Sequence, residues 1–580
     1  MKPGRRALLV IPAAAGLAIA SILFGLTATA VPHPLIDPVN GHPHFDNGKA
    51  IAHPSAGSEV AFDDMRAEMA DVRSSVGSDT PPDATVSALG CANRGSLTNP
   101  RTNQDCTLRR QAEEQVAVNP LDPNNIIVGQ NDSRVGFNHC GFDYSLNGGA
   151  TWGDGQPPFF QHLSPIGHTY DAASDPALTF NGNGVAWYSC VVFDVNSNAS
   201  GLFVVPSTAA LKGSAYSNVA AGASPFVVGT EDASGAHFFD KEFIAGDMRA
   251  GHSEVYVTWT DFRAEPRCKR SMNRGGFCEA PIMLSKWVLT PTPHWTTPIE
   301  ISGRSPLCTL GNSFNPQIPA DSCNVDQGSM PVVLPNGDVF VVFNNFNTPT
   351  LVNQQLGVRV SADLSTIGAP VKVGVDDETN AALCDFGRGP EQCVDSLNIR
   401  SQDFPQIALD PSNANHLAAV WTDTRGLTAT NKGAYKVIVS ESTDGGSHWT
   451  DANGGGTRLT PAGTGAYFEP SVAITTTGKV AVSTYRANTA RHTTTVGDGT
   501  FGYGYLVKSG GSFGSYTNAS DSQTNPSPQA NAAQAGFLGD YSSVAAGAGG
   551  TVYMVWSDTR NASGPTHIPD EDIFIFKATP

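Results

Sequence analysis

From about residue 113 onward, apolar positions fall in short runs, two per unit, separated by turn residues. The unit is a strand, a tight turn and a second strand. It occurs as QVAVNPLDPNNIIVG (115–129), PALTFNGNGVAWYS (176–189), FIAGDMRAGHSEVYVTW (243–259) and PVVLPNGDVFVVF (331–343). It returns as PQIALDPSNANHLAAVW (405–421), PSVAITTTGKVAVST (470–484) and SSVAAGAGGTVYMVW (542–556). The turns carry Asn-Gly, Asp-Pro, Thr-Gly or Gly-Gly, which supply the backbone angles that hairpins require. The spacing leaves room for two more strands and a loop per unit. Four-stranded units repeated around an axis predict an all-β chain folded as a β-propeller. Seven units are counted, with six as the alternative. The last unit shows three strands, ending DIFIFK (572–577), so a strand from the N-terminal side would complete it.

The chain before the repeats is different. Lys2, Arg5 and Arg6 precede the apolar stretch Ala7 to Leu26, and Ala28-Thr29-Ala30 is a small-x-small site. Residues 1–30 therefore read as a signal peptide, or as an anchor if uncleaved. Residues 31–112 form an irregular linker in which Ser58 to Val76 predicts one short helix.

Composition sharpens this picture. The 580 residues include 60 Gly and 40 Pro with only 15% charged, which fits many short strands and turns. The net charge of −18 argues against a nucleic-acid partner and disfavours anionic membrane surfaces. Ten cysteines in an exported chain imply disulfides. Their order suggests the pairs 91–106, 140–190, 268–278, 308–323 and 384–393. The reading is a secreted monomer.

Two motifs recur inside the repeats. Asp132-Ser-Arg134, Asp261-Phe-Arg263, Asp423-Thr-Arg425 and Asp558-Thr-Arg560 end second strands, the last three after a Trp two positions before the Asp. Tyr485-Arg486 takes the same place. An Asp–Arg bridge between neighbouring units, under a packed Trp, accounts for the recurrence. Ser145-Leu-Asn147-Gly-Gly149-Ala-Thr-Trp152 and Ser442-Thr-Asp444-Gly-Gly446-Ser-His-Trp449 share the pattern Ser-x-Asx-x-Gly-x-x-Trp. The Asx caps a turn, the Gly takes a left-handed angle and the Trp packs inward. This pattern, at 145–152 and 442–449, resembles the Asp-box of sialidase-type (BNR-repeat) propellers.

In such a fold the starts of first strands and the ends of second strands share one mouth of the central channel, where a ligand is expected. The residues there are Asp171, Asp175, Asp240, Lys241, Glu242, Asp326, Asp403, Tyr467, Glu469, Asp540 and Tyr541, approached by the arginines at 134, 263, 425, 486 and 560. Carboxylates suit acid/base work and arginine forks bind anions bidentately. A ring of acids could equally hold Ca²⁺; no other cofactor and no specific metal-ligand set is implied.

The resemblance extends to short segments. Phe468-Glu469-Pro470 looks like the Glu-bearing strand of a sialidase, Arg486 like its carboxylate-binding arginine, and Asp540-Tyr541-Ser542 like its nucleophile segment. It implies a retaining glycosidase acting on an acidic or complex glycan, with Tyr541 as nucleophile, Glu469 activating it and Asp171 as acid. Arg486, Arg134, Arg560, Asp540, Asp403 and Asp240 would bind substrate. The sequence departs from the family at its first inner strand. The family has Arg-Ile-Pro there; this chain has Glu114 and no Arg-Ile-Pro anywhere. The alternative is a non-catalytic propeller that binds a glycan, glycoconjugate or protein.

Overall fold

The computed structural model describes residues 95–105, 110–135, 138–194, 199–217, 228, 231–263, 279–312, 317–385, 390–461, 463–495, 497–526, 537–563 and 568–580. The signal segment, the 58–76 helix and the 91–106 and 268–278 cysteine pairs lie outside these residues.

The described chain is all-β and consists of successive antiparallel sheets. The first holds β1 (Gln111–Asn119), β2 (Asp122–Asp132), β3 (His139–Ser145) and β4 (Gly153–Gly155) in that order. The second holds β5 (Ala172–Phe180), β6 (Ala186–Phe193) and β7 (Ser200–Pro206). The third holds β8 (His237–Gly246), β9 (Val255–Arg263) and β10 (Ile282–Val288), with β11 (His294–Trp295) and β12 (Ile299–Glu300) both on β10. The fourth holds β13 (Asp326–Val333), β14 (Val339–Asn345), β15 (Val352–Val360) and β16 (Val371–Asp377). An insertion then forms a small sheet of β17 (Leu383–Asp385), β18 (Pro390–Val394) and β19 (Ile399–Arg400).

The fifth sheet holds β20 (Gln406–Leu409), β21 (Leu417–Asp423), β22 (Lys436–Ser442) and β23 (Thr457–Leu459). The sixth holds β24 (Ala466–Ile474), β25 (Val480–Ala487) and β26 (Phe501–Ser509), with β27 (Ser512–Phe513) and β28 (Thr517–Asn518) on β26. The seventh holds β29 (Ser543–Ala546), β30 (Val552–Ser563) and β31 (Ile568–Ala578). Each of the seven repeats in the sequence is the first hairpin of one of these seven sheets.

The sheets stack side by side through their first strands. β1 touches β5, β5 touches β8, β8 touches β13, β13 touches β20, β20 touches β24, β24 touches β29, and β29 touches β1. This packing covers both faces of a sheet, so its strands read as nearly continuous apolar runs rather than strict alternation. Ile126, Ile127 and Val128 on β2 are all fully buried, as are Val255 and Val257 on β9. Beside β31 runs a stretch from the N-terminal side: Arg101 bridges to Phe574, and the Thr102 N–H donates to the Ile573 carbonyl at 2.9 Å.

Three disulfides staple the described chain. Cys140–Cys190 joins β3 to β6, Cys308–Cys323 closes the loop before β13, and Cys384–Cys393 ties β17 to β18. Such bonds suit an oxidising compartment. No helix of the described residues is long and apolar enough to cross a membrane.

The two Ser-x-Asx-x-Gly-x-x-Trp turns fold alike. One lies between β3 and β4, the other between β22 and β23. In the second, the Gly446 N–H donates to Ser442 Oγ at 2.9 Å, the His448 N–H to Asp444 Oδ1 at 2.9 Å, and Trp449 Nε1 to the Gly446 carbonyl at 2.9 Å. The first repeats these bonds from Gly149, Thr151 and Trp152 at 2.9, 2.9 and 3.2 Å. Gly446 sits at φ 92°, and a Cβ there would stand 2.5 Å from the Phe340 ring of the fourth sheet, so glycine is required.

A buried charged centre as candidate functional site

Five of the seven first strands carry the same irregularity. Between Ala112 and Gln115 of β1, two residues oppose one on β2. The same two-against-one bulge falls at Asp175-Pro176 on β5, Lys241-Glu242 on β8, Gly328-Ser329 on β13 and Glu469-Pro470 on β24. The first bulge residue has positive φ each time: Glu113 61°, Asp175 59°, Lys241 53°, Gly328 67° and Glu469 46°. Glycine is the residue such a bulge favours. The other four hold an L side chain in a sparsely populated region, at a cost of about 1–3 kcal/mol each. Where the bulge residue is Gly328, the Phe404 ring occupies the space a Cβ would need.

Three of these strained residues meet in a single network. The Lys241 ammonium, fully buried, lies 2.6 Å from Asp540 Oδ2, 3.1 Å from Glu113 Oε1 and 3.6 Å from Asp175 Oδ1. Burial alone would pull Lys241 down; Asp175, Asp540 and Glu113 outweigh it and hold its pKa above the ordinary value. Glu113 is pushed well up, by burial first and then by Asp175, with Lys241 opposing. Asn131 Nδ2 donates to Glu113 and the Asp540 N–H donates to it at 3.1 Å. Arg400 approaches Asp540 at 3.5 Å and Glu391 at 3.4 Å. Beside this cluster, Glu114 accepts from Tyr485 Oη at 3.3 Å and Ser557 Oγ at 2.8 Å. Burial pushes Glu114 up to about 8, against the pull of those hydroxyls. Buried charges persist only when paired and hydrogen-bonded, and this centre is built that way.

Glu469 and Glu242 differ: both are buried, and no carboxyl oxygen of either has a hydrogen-bond partner among the described residues. In Glu469, burial, then Asp540, Glu114 and Glu113, push the pKa well above the carboxylate range.

The other expected site residues are distributed differently. Tyr541 is buried, donates to the Pro176 carbonyl at 3.1 Å and packs edge-on against Phe243 at 5.0 Å. No hydrogen bond links it to Glu469. Arg134 bonds Asp132 and lies 2.8 Å from Asp154; Arg560 lies 2.7 Å from Asp558 and 2.6 Å from Asp521. Arg263 and Arg425 repeat the arrangement with Asp261 and Asp423, each taking a further acid, Glu300 and Asp451. Arg425 also donates to the Val375 carbonyl of the preceding sheet. The expected Asp–Arg bridge between units is thus corrected for Arg134, Arg263 and Arg425, whose acids belong to their own unit, and only Arg560 reaches an acid of the preceding one, Asp521. Arg486 is partly buried with its guanidinium 5.4 Å from the Tyr516 ring. Asp171 lies with His168 and Asp194, Asp240 is buried one residue before the β8 bulge, and Asp403 lies with Asp376 and Glu378.

Sequence reasoning passed over Glu113 and Arg400. Glu113 adjoins Glu114 in the same acid-then-apolar strand start as the other units, which is the signal that marks it. Arg400 belongs to the insertion, where no repeat pattern points to it.

The fold and this centre define a β-propeller with a buried, strongly ionic core at its first strands. No protein-family model matches the chain. No curated protein matches it either. Among solved structures it is similar to a Trypanosoma rangeli sialidase at 11% identity and TM-score 0.37, over 72% of this chain and 57% of that one. It is similar to the GH93 α-L-arabinofuranosidase of Fusarium graminearum at 10% identity and TM-score 0.38, over 67% and 92% of the two chains. A Dyadobacter fermentans protein of unknown function matches at 12% identity and TM-score 0.36, over 71% and 98%. The chain thus spans little more than half the length of the sialidase.

Proposed function

We propose that this chain is a secreted, seven-bladed propeller of the sialidase type that binds a glycan or glycoconjugate without hydrolysing a sialoside at its axis. The seven first hairpins, and the unbroken circuit of contacts from β1 through β29 back to β1, support seven closed blades. The two identically bonded Ser-x-Asx-x-Gly-x-x-Trp turns support the Asp-box kinship. The observation that carries the reading is Lys241, buried and held by Glu113, Asp175 and Asp540 among the first-strand residues where a ligand was expected. The arginines at 134, 263, 425 and 560 support it too, because each is already engaged by its own Asp rather than left to grip a substrate carboxylate. Tyr541 has its hydroxyl committed to a backbone carbonyl.

One observation favours a second reading, a glycosidase other than a Tyr-dependent one. Glu469 is a buried carboxyl with its pKa pushed well up, next to the carboxyls of Asp540, Glu114 and Glu113, and a raised acid among carboxylates is the setting acid–base pairs use. In that reading Glu469 would protonate a leaving group and Asp540, paired with Lys241 at 2.6 Å, would serve as the partner carboxylate.

The test is a glycan array probed with purified, labelled residues 31–580, followed by titration of any hit by calorimetry. Saturable binding of a defined glycan class supports the proposal. Absence of binding to every glycan would remove the glycan part and leave a protein partner.

A further inference from the structure

The axial network holds the reactants of a condensation as well as a set of ion pairs. Lys241 Nζ lies 2.6 Å from Asp540 Oδ2, so the Asp540 carboxyl carbon is one bond beyond that contact. Both side chains are fully buried. Phe404 and Tyr541, themselves buried, each set a ring 5.3 Å from the ammonium and keep water from it.

The backbone is shaped to make this approach. Lys241 and Glu113 hold φ of 53° and 61° in their bulges. Asp540 follows Gly539 at φ 117°, where a Cβ would stand 2.9 Å from the Glu113 backbone. The Asp540 N–H then donates to Glu113 Oε1 at 3.1 Å. Strained backbone of this kind persists where the surroundings fix it, and it gathers at sites that do chemistry.

Two neighbours supply what amide formation needs. Burial works against the Lys241 charge and the acids hold it in place, so the amine is freed only by passing protons to a carboxyl. Glu113 Oε1 lies 3.1 Å from Nζ, and burial and then Asp175 raise its pKa, which makes it the stronger base. Arg400 Nε stands 3.5 Å from Asp540 Oδ1, the oxygen on which negative charge gathers when the carboxyl carbon is attacked. Asp540 is the nearest of the three acids and carries the Arg400 contact, which selects it over Glu113 and Asp175.

We propose that Lys241 and Asp540 condense to an isopeptide bond that links the third sheet, across the axis, to the segment entering the seventh. One ammonium proton passes to Asp540 Oδ2 along the 2.6 Å contact, leaving a neutral amine and a neutral carboxylic acid. The Nζ lone pair attacks the Asp540 carboxyl carbon and the C–N bond forms. Glu113 takes the second proton and returns it to the departing hydroxyl, the C–O bond breaks, and one water leaves. The pair is neutral in sum before and after, Glu113 ends as it began, and no other reactant is consumed. Groups held in reacting geometry reach effective molarities of about 10⁵–10⁸ M, which drives the step. The ion pair is the reactant state and the amide the product state of one site. The inference goes beyond the glycan reading and stands whether or not that reading does.

The test is the intact mass of the mature full chain, purified and with its disulfides reduced. A mass one water below that calculated from its N-terminus is expected. A tryptic peptide containing Lys241 should be joined to one containing Asp540, with no cleavage after Lys241. Lys241→Met removes the amine, and Glu113→Gln removes the proton carrier while leaving both partners; each variant should show its full calculated mass. In denaturing gels with reductant the parent should run ahead of both variants, because a linked chain cannot extend fully. Should a variant fail to fold, the parent's mass and joined peptide still decide. A parent at full mass, or a missing water traced to any other residues, would overturn the proposal. Glu113→Gln linked as completely as the parent would overturn the role given to Glu113.

Discussion

Replacing Lys241 by methionine removes the ammonium and keeps the stem, so the consequences can be worked from the contacts. Three carboxylates, at 2.6, 3.1 and 3.6 Å, lose their shared cation while remaining buried. Breaking a buried ion pair by deleting one partner costs about 3–5 kcal/mol. Unfolding entropy near 2 cal/mol/K per residue, over roughly 425 described residues, is about 0.9 kcal/mol/K, so the melting temperature should fall by about 3–6 °C. The deficit should also depend on pH. Glu113 already sits well above its ordinary pKa, and without Lys241 the cation that opposes the rise is gone. An acid raised in the folded state favours folding below its unfolded pKa and loses that contribution as pH climbs through the folded one. Acidification therefore lets the orphaned carboxyls take protons, and the deficit should be smaller near pH 5 than near pH 8. Scanning calorimetry of parent and Lys241→Met at both pH values reads both effects. A melting temperature within about 1 °C of the parent near pH 8, or a deficit equal at the two pH values, would refute the axial network as a stabilising element.

Other outcomes follow from the same contacts. Glu114, with its ordinary value of 4.5 raised to about 8, should make the protein less stable as pH rises through that window; Glu114→Gln should flatten the slope by on the order of a few kcal/mol, read by thermal melts from pH 5 to 8.5. Trp449 is buried against Phe340 at 5.8 Å and bonded to Gly446, so Trp449→Ala should cost about 3–5 kcal/mol and lower the melting temperature in calorimetry, with Trp449→Phe costing less.

The repeat architecture was legible because it is written locally. Each hairpin carries its own apolar runs and its own turn residues, as in Val332–Phe340 around Pro335-Asn336-Gly337, and each closes without help from distant chain. The Ser442–Trp449 turn was legible for the same reason: all its hydrogen bonds fall within four residues. So were the Asp423–Arg425 pair and the cysteine neighbours 308–323 and 384–393.

The centre was legible only as a list of residue types. That Lys241 would be neutralised by Glu113, Asp175 and Asp540 depends on three strands and the segment before a fourth converging, and on bulges that turn Glu113, Asp175 and Lys241 to positive φ. A bulge is a matter of register between two strands, and one strand's sequence does not declare it. Tyr541 illustrates the gap. Its Asp-Tyr-Ser setting resembles a nucleophile segment, while its place beside Phe243 and Pro176 is decided by residues some 300 positions away in the chain. Arg400 was hidden because its short insertion breaks the repeat that guided the rest.

The central claim is that the axis is closed by its own charges and turns over no sialoside. Purified residues 31–580, with Ca²⁺ present, should be incubated with fluorogenic sialoside and arabinofuranoside beside Tyr541→Phe and Glu469→Gln variants. Rates equal to the blank for all three proteins are predicted. Turnover by the parent that disappears in Tyr541→Phe would contradict the account and establish a Tyr-dependent sialidase; turnover lost only in Glu469→Gln would replace the binding reading with the acid-catalysed one.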